Sequence, residues 1–210
     1  YSIYLKEAIA FFGDGNTLRI VDVNDPANPV PLSTFTLPGN KISGIHVSGD
    51  YAYIANQNDG LHILDIGDLS DPTVVSTLSG LIMDVKIVDE YAYVTDYWRG
   101  LLIYDVSDPS VPLYAGECNY AQDETSAYAI AADIKGTNAY VASCTMGLIV
   151  VDISDPAEPV KRGASEEQFE GMGIAVYGDY AYVTDGNYGL RIFDVSAPSY
   201  PDEIGFYSTK

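Results

Sequence analysis

One five-residue pattern recurs five times at nearly even spacing, and it restricts the possible folds more than any other feature of the chain. Leu18–Asp22 (LRIVD), Leu61–Asp65 (LHILD), Leu101–Asp105 (LLIYD), Leu148–Asp152 (LIVVD) and Leu190–Asp194 (LRIFD) align without gaps. Their closing Asp residues lie 43, 40, 47 and 42 residues apart. A period of this length marks an array of one supersecondary unit, which cannot bury its apolar faces alone and does so by stacking on its neighbours. Each copy is followed by a proline-bearing turn: Asp25–Pro29, Asp68–Pro72, Asp108–Pro112, Asp155–Pro159 and Ala197–Pro201. Upstream stand Tyr51–Ile54 (YAYI), Tyr91–Val94 (YAYV), Asn138–Val141 (NAYV) and Tyr180–Val183 (YAYV), with a degenerate first copy at Ala8–Phe11 (AIAF).

Each unit offers four short segments rich in Val, Ile, Tyr and Leu, bounded by Gly, Asn, Asp and Pro, which is the signature of strands and turns. In the last copy these are about 173–177, 180–184, 190–194 and 204–208. Gly178-Asp179, Gly49-Asp50 and Asp89-Glu90 are two-residue links suited to tight hairpins. Proline in the connection after each pentapeptide stops a continuing strand and presets the turn. No segment has a 3.6-residue apolar period, so helix is expected to be minimal. The repeated residues resemble the LVIVD-repeat family, whose name is the consensus of the pentapeptide. That resemblance implies a β-propeller in an extracellular or cell-surface protein and brings no catalytic residues with it. The expected fold is all-β: one propeller domain over 1–210, with four-stranded blades at about 1–39, 40–80, 81–122, 123–168 and 169–210. Four to eight blades are usual, and five would close if the chain runs from an innermost strand at Ser2–Leu5 to an outermost one. The start at Tyr1 points to a processed or excerpted chain, in which more blades are possible.

A net charge of −20 with only 10 Lys and Arg makes nucleic acid an improbable partner, because phosphate binding needs clustered cations. The same charge disfavours anionic membrane surfaces, and no apolar run nears the roughly 18–20 residues that span a bilayer. Protein or glycan ligands, and self-association, remain as partners.

Length variation shows where function can sit. From the repeated Tyr to the repeated Asp the distance is always 12 residues, whereas from each Asp to the next Tyr it is 31, 28, 35 and 30. In an up-and-down blade the inter-blade connection and the loop between second and third strands leave on the same face. That face gathers the uneven segments 37–43, 79–83, 118–125 and 165–171 with the loops 56–60, 96–100, 143–147 and 185–189. Cys118 and Cys144 fall on it as a disulfide candidate, closing a loop of 26 residues worth about 3 kcal/mol; the alternative is two reduced thiols.

Candidate chemistry is sparse. The repeated Asp22, Asp65, Asp105, Asp152 and Asp194 suit turns in which a carboxylate accepts a backbone amide two residues on. Tyr97, Trp98 and Arg99 form a loop tip fit for stacking on a sugar or anchoring a protein, though the aromatics could pack on the neighbouring blade and Arg99 could pair with a local acid. Tyr120, Asp123, Glu124 and Tyr188 complete the candidate binding set. Glycosidase chemistry would need two converging carboxylates, with Asp84, Asp123, Glu124 and Glu170 as the available acids. His46 and His62 are too few for a triad or a histidine metal site, and no cofactor is expected; calcium on loop carboxylates lacks its usual spacing. The first expectation is a non-catalytic, extracellular or cell-surface module that binds protein or glycan through its variable-loop face. The second is a self-assembling subunit of a surface layer or filament, and the third a carbohydrate-active enzyme.

Overall fold

The computed structural model describes residues 2–39, 41–121, 127–186 and 188–209, in which there are twenty strands and no helix. The strands form five four-stranded antiparallel sheets, one per repeat. The first blade is β1 (Ile3–Lys6), β2 (Ile9–Asp14), β3 (Thr17–Asp22) and β4 (Val30–Thr36). The second is β5 (Gly44–Ser48), β6 (Tyr51–Ala55), β7 (Leu61–Asp65) and β8 (Thr73–Leu78). The third is β9 (Ile82–Val88), β10 (Tyr91–Asp96), β11 (Gly100–Asp105) and β12 (Leu113–Cys118). The fourth is β13 (Ala129–Lys135), β14 (Asn138–Ser143), β15 (Gly147–Asp152) and β16 (Val160–Ala164). The fifth is β17 (Gly171–Tyr177), β18 (Tyr180–Asp185), β19 (Gly189–Asp194) and β20 (Asp202–Ser208). Strand order within each sheet is sequential, so every blade is an up-and-down meander.

The repeated residues explain the blade. Asp22, Asp65, Asp105, Asp152 and Asp194 each accept the amide two residues on through Oδ1, at 2.8–3.0 Å. A second tier follows at Asp25, Asp68, Asp108 and Asp155, which accept amides two residues on at 2.9–3.0 Å. Donation from the Ser70 and Ser110 hydroxyls, then from their amides, holds Asp68 and Asp108 below the usual carboxylate range. The regular carboxylate series is therefore turn chemistry. The first residue of each tight link, whether glycine (Gly49, Gly136, Gly178) or not (Glu7, Asp89), has φ between 52° and 57°. Between third and fourth strands the register slips at one matching place, Ile20/Val21, Ile63/Leu64, Val150/Val151 and Ile192/Phe193, a bulge that adds twist.

The chain divides into two compact units, Tyr1–Ala92 with Asp105–Leu113, and Tyr93–Tyr104 with Tyr114–Lys210. In the first, Ile45, Val47, Ala52, Ile54 and Leu64 of the second blade pack on Phe11, Leu18 and Ile20 of the first blade. In the second, Tyr140, Ala142, Leu148 and Val150 of the fourth blade pack on Ala181, Val183, Phe193 and Val195 of the fifth. Ala52, Ala139 and Ala181 are wholly buried, so the small residue of Tyr-Ala-Tyr lets successive blades approach closely. The Asp-Pro turns and Tyr-Ala-Tyr strands thus build the scaffold, and the loops between second and third strands are left to differ.

Candidate functional site

Within each unit, several of the loops expected to share one face meet one another. In the first, Asn56 Nδ2 donates to Pro38 O, and the backbones of Gln57 and Ile82 exchange two hydrogen bonds of 3.0 Å. In the second, segments 143–147, 165–171 and 185–189 converge on a recess of about 290 Å³, walled by Cys144, Gln168, Phe169, Glu170, Tyr188 and Arg191 with Asp185 at its base.

Asp185 ends β18. The matching residues of the third and fourth blades use their side-chain oxygen to hold their own loop: Asp96 Oδ1 accepts the Trp98 and Arg99 amides at 2.9 and 3.0 Å, and Ser143 Oγ accepts those of Thr145 and Met146. Asp185 Oδ2 accepts Arg191 Nε–H at 2.9 Å, while its buried Oδ1 has no hydrogen-bond partner among the described residues, the amide two residues on lying outside them. A buried carboxylate oxygen without a donor is costly and uncommon. The Arg191 guanidinium lies 4.6 Å from the Phe169 ring centroid and 5.2 Å from that of Phe206, and also donates to Glu203 Oε2 at 2.8 Å. Phe169 stacks on Phe193 at 5.8 Å. The floor is thus held by a stacked, multiply paired arginine whose planar fork lysine would not reproduce. Reasoning from sequence passed over Asp185, Phe169 and Arg191. A signal existed: in the first blade Arg19 pairs with Asp14 in the same manner, so an Arg in the second place of the pentapeptide goes with an Asp ending the preceding strand.

Beside the recess stands an aromatic cluster. Tyr97 meets Trp98 and Tyr128 edge-on, each at 4.9 Å, and Trp98 lies 5.8 Å from Tyr128. Tyr128 adopts φ 50°, a left-handed conformation that a bulky aromatic rarely occupies and that costs about 1–3 kcal/mol. Tyr97 joins the cluster to the recess wall through a hydrogen bond with Cys144. Trp98 and Tyr188 are each 52% exposed. The tip therefore divides its roles: Tyr97 packs on the fourth-blade residue Tyr128, Trp98 keeps an open face, and Arg99 pairs with Glu117.

Two expectations need correction. Tyr120 is 1% exposed with its hydroxyl sealed in, and burial drives its pKa far up, so it belongs to the core rather than to a contact surface. Cys118 and Cys144 are free thiols rather than a disulfide. Each is engaged elsewhere: Cys118 is buried and receives the Lys161 amide, while Cys144 bonds with Tyr97. Burial pushes both thiols up in pKa. Asp123 and Glu124 lie outside the described residues. Among the acids named for glycosidase chemistry, Asp84 pairs with Lys86 at 3.2 Å in the first unit, and Glu170 lines the recess in the second. Among the described residues no group of three or more His, Cys, Asp or Glu is placed to hold a metal ion.

Comparison with known proteins bears on the scaffold. No curated protein matches the sequence. Among solved structures, the computationally designed protein Ika8 superposes with a TM-score of 0.70 at 9% identity, covering 99% of this chain and 62% of the designed one. A protein from Lactobacillus plantarum gives 0.79 at 16% identity, covering 99% and 70%. A candidate 6-phosphogluconolactonase from Bacteroides uniformis gives 0.81 at 14% identity, covering 99% and 71%. The chain thus spans under two thirds of the first of these and somewhat over two thirds of the other two. At such identities the likeness is one of fold alone. The LVIVD repeat profile matches five times, at residues 1–36, 39–78, 79–120, 128–164 and 170–209. With the profile matching nearly every residue and each match holding one four-stranded blade, the chain belongs to the LVIVD-repeat family.

Proposed function

We propose that this protein is a non-catalytic binding module of the cell surface or extracellular space, and that its loop face takes a glycan at the recess of the fourth and fifth blades. The observation that carries the reading is the pairing of exposed ring faces with buried acceptors. Trp98 and Tyr188 offer open aromatic surface beside a floor where Asp185 Oδ1 lacks a donor among the described residues. A saccharide presents both complements, an apolar C–H face that stacks on rings and hydroxyls that donate to carboxylates. The walls are fixed rather than floppy, because Arg191 is held from several sides, and preorganisation lowers the cost of binding. The extracellular setting rests on the family resemblance.

The test is a broad glycan panel probed with the chain and with Trp98→Ala and Tyr188→Ala, followed by calorimetry on any hit. Each truncation should weaken a genuine ligand about tenfold or more, as removal of a stacking residue does. Binding indifferent to both, or no glycan bound at all, would reject the reading.

A further inference from the structure

Arg191 joins the recess of the second unit to a second hollow in that unit. Its Nε is held by Asp185 of the recess at 2.9 Å, and its Nη1 reaches Glu203 at 2.8 Å and Glu167 at 3.6 Å. Those two glutamates, with Glu166 and Tyr200, wall a groove of about 500 Å³ over the buried ring of Phe193. Both hollows lie between the fourth and fifth blades. The recess alone, at about 290 Å³, sits at the lower bound of the roughly 300–1,000 Å³ usual for ligand sites, and the groove extends it.

The charge of this trough is one-sided. Glu170 and Asp185 line the recess, Glu166, Glu167, Asp202 and Glu203 the groove, and among the described lining residues Arg191 is the single cation. That cation is already committed: three carboxylates pair with it, and the Phe169 and Phe206 ring centroids lie 4.6 and 5.2 Å from it. It has no charge to spare for a carboxylated or sulfated sugar, which the surrounding acids would repel. Surface acids by themselves mark a solvated face. Here, however, Asp185 is 4% exposed and its Oδ1, at the recess base, has no partner among the described residues. Glu170 stands close by, its Oε2 3.2 Å from where a Cβ on Gly186 would lie. The open rings of Trp98 and Tyr188 flank these acids, and a ring face attracts a cation.

We infer that the ligand of this site is an oligomer of amino sugars carrying free ammonium groups, one residue seated in the recess and its neighbours following the groove. The inference rests on the glycan reading above and adds the charge and length of the sugar. An ammonium group brings three donors and the charge opposite to the trough, whereas an acetamido group leaves the acids without a counter-charge. A cleft lined by one sign of charge concentrates ions of the other, an effect that salt weakens.

Calorimetry at about pH 6, where carboxylates of ordinary pKa near 4 stay ionised, compares a glucosamine tetramer, its N-acetylated form and a galacturonate tetramer. Exposed ion pairs contribute roughly up to fivefold each, so several of them should make the glucosamine tetramer bind at least about tenfold more tightly than the acetylated one in about 0.05 M salt. The gap should shrink in about 0.5 M salt, and the galacturonate tetramer should not bind. Glu166→Gln and Glu170→Gln alter exposed side chains, so folding should survive, and each should lower the ratio of the two affinities about two- to fivefold. Equal affinity for the two forms, tighter binding of the acetylated one, or a ratio that both variants leave unchanged overturns the inference. In those cases the glycan reading still stands if Trp98→Ala weakens binding, whereas a chain that binds no glycan rejects both. Pentalysine bound as tightly as the glucosamine tetramer, and indifferent to Trp98→Ala, also overturns the inference, because charge alone would then account for capture.

Discussion

Replacing Gly147 by Ala should destabilise the second unit far more than the same change at Gly136, and the difference measures how tightly the recess wall is packed. Both glycines have left-handed backbone, φ 75° and 57°, so both substitutions carry a conformational cost of about 1–2 kcal/mol, partly offset by reduced freedom of the unfolded chain. Their surroundings differ. A Cβ on Gly136 would meet nothing within 4 Å, whereas one on Gly147 would lie 2.5 and 2.7 Å from Phe169 ring carbons and 2.7 Å from Ser165 Oγ. Phe169 cannot swing aside, because it is stacked on Phe193 and lies against Arg191. Overpacking of this sort costs about 1–3 kcal/mol more. The expected gap between the variants is therefore about 2 kcal/mol, or about 4–8 °C in Tm for a chain of this size. Trp98 is the only tryptophan and belongs to the same unit as both glycines, so its fluorescence in a urea titration reads the relevant transition. Equal midpoints would refute the claim that Phe169 is fixed, and with it the argument that the recess is preorganised.

Two further outcomes are expected. His46 should titrate at about 4, because burial, then the charge of Lys86, disfavours its imidazolium. With the folded value below the unfolded 6.5, the unfolded chain binds more protons between about 4 and 6.5, so stability falls as pH drops through that window, by at most about 3 kcal/mol. A proton NMR titration placing the His46 midpoint near 6.5 would contradict this, and His46→Gln should flatten the slope. Alkylation without reductant should label Cys144 slowly in the native protein and Cys118 only on unfolding, giving two thiols in all; fewer than two would show a bridge.

The scaffold was legible in the sequence because its requirements are local and recur in register. An Asp whose oxygen meets an amide two residues away, or an Ala small enough for blades to approach, leaves the same trace in each repeat. The site was less legible for the converse reason. Whether Tyr120 turns inward while Trp98 stays out depends on side-chain direction in non-repeating loops, on which the period is silent. Cys118 and Cys144 read as a pair in the sequence, yet their partners, the Lys161 amide and Tyr97, come from other segments. The Asp185–Arg191 pair was hidden by alignment itself: with Arg19, His62, Leu102 and Ile149 at the matching place, Arg191 reads as strand-face variation. Only its stacking between Phe169 and Phe206 reveals its part in the recess.

The two-tier Asp turns bear on more than the shape of a loop. Because Asp152 and Asp155 satisfy amides two residues on, as their counterparts do in other blades, the side-chain bonds that shape the exit from each third strand are local in sequence. A blade closed in this way can form early, from contacts near in sequence, and then recruit its neighbour. It is also a unit that duplication can add or remove whole, since the carboxylates that shape its turn meet amides of the same copy. Blade number is therefore a property such chains can change cheaply, while the loops of the opposite rim diversify with little cost to folding.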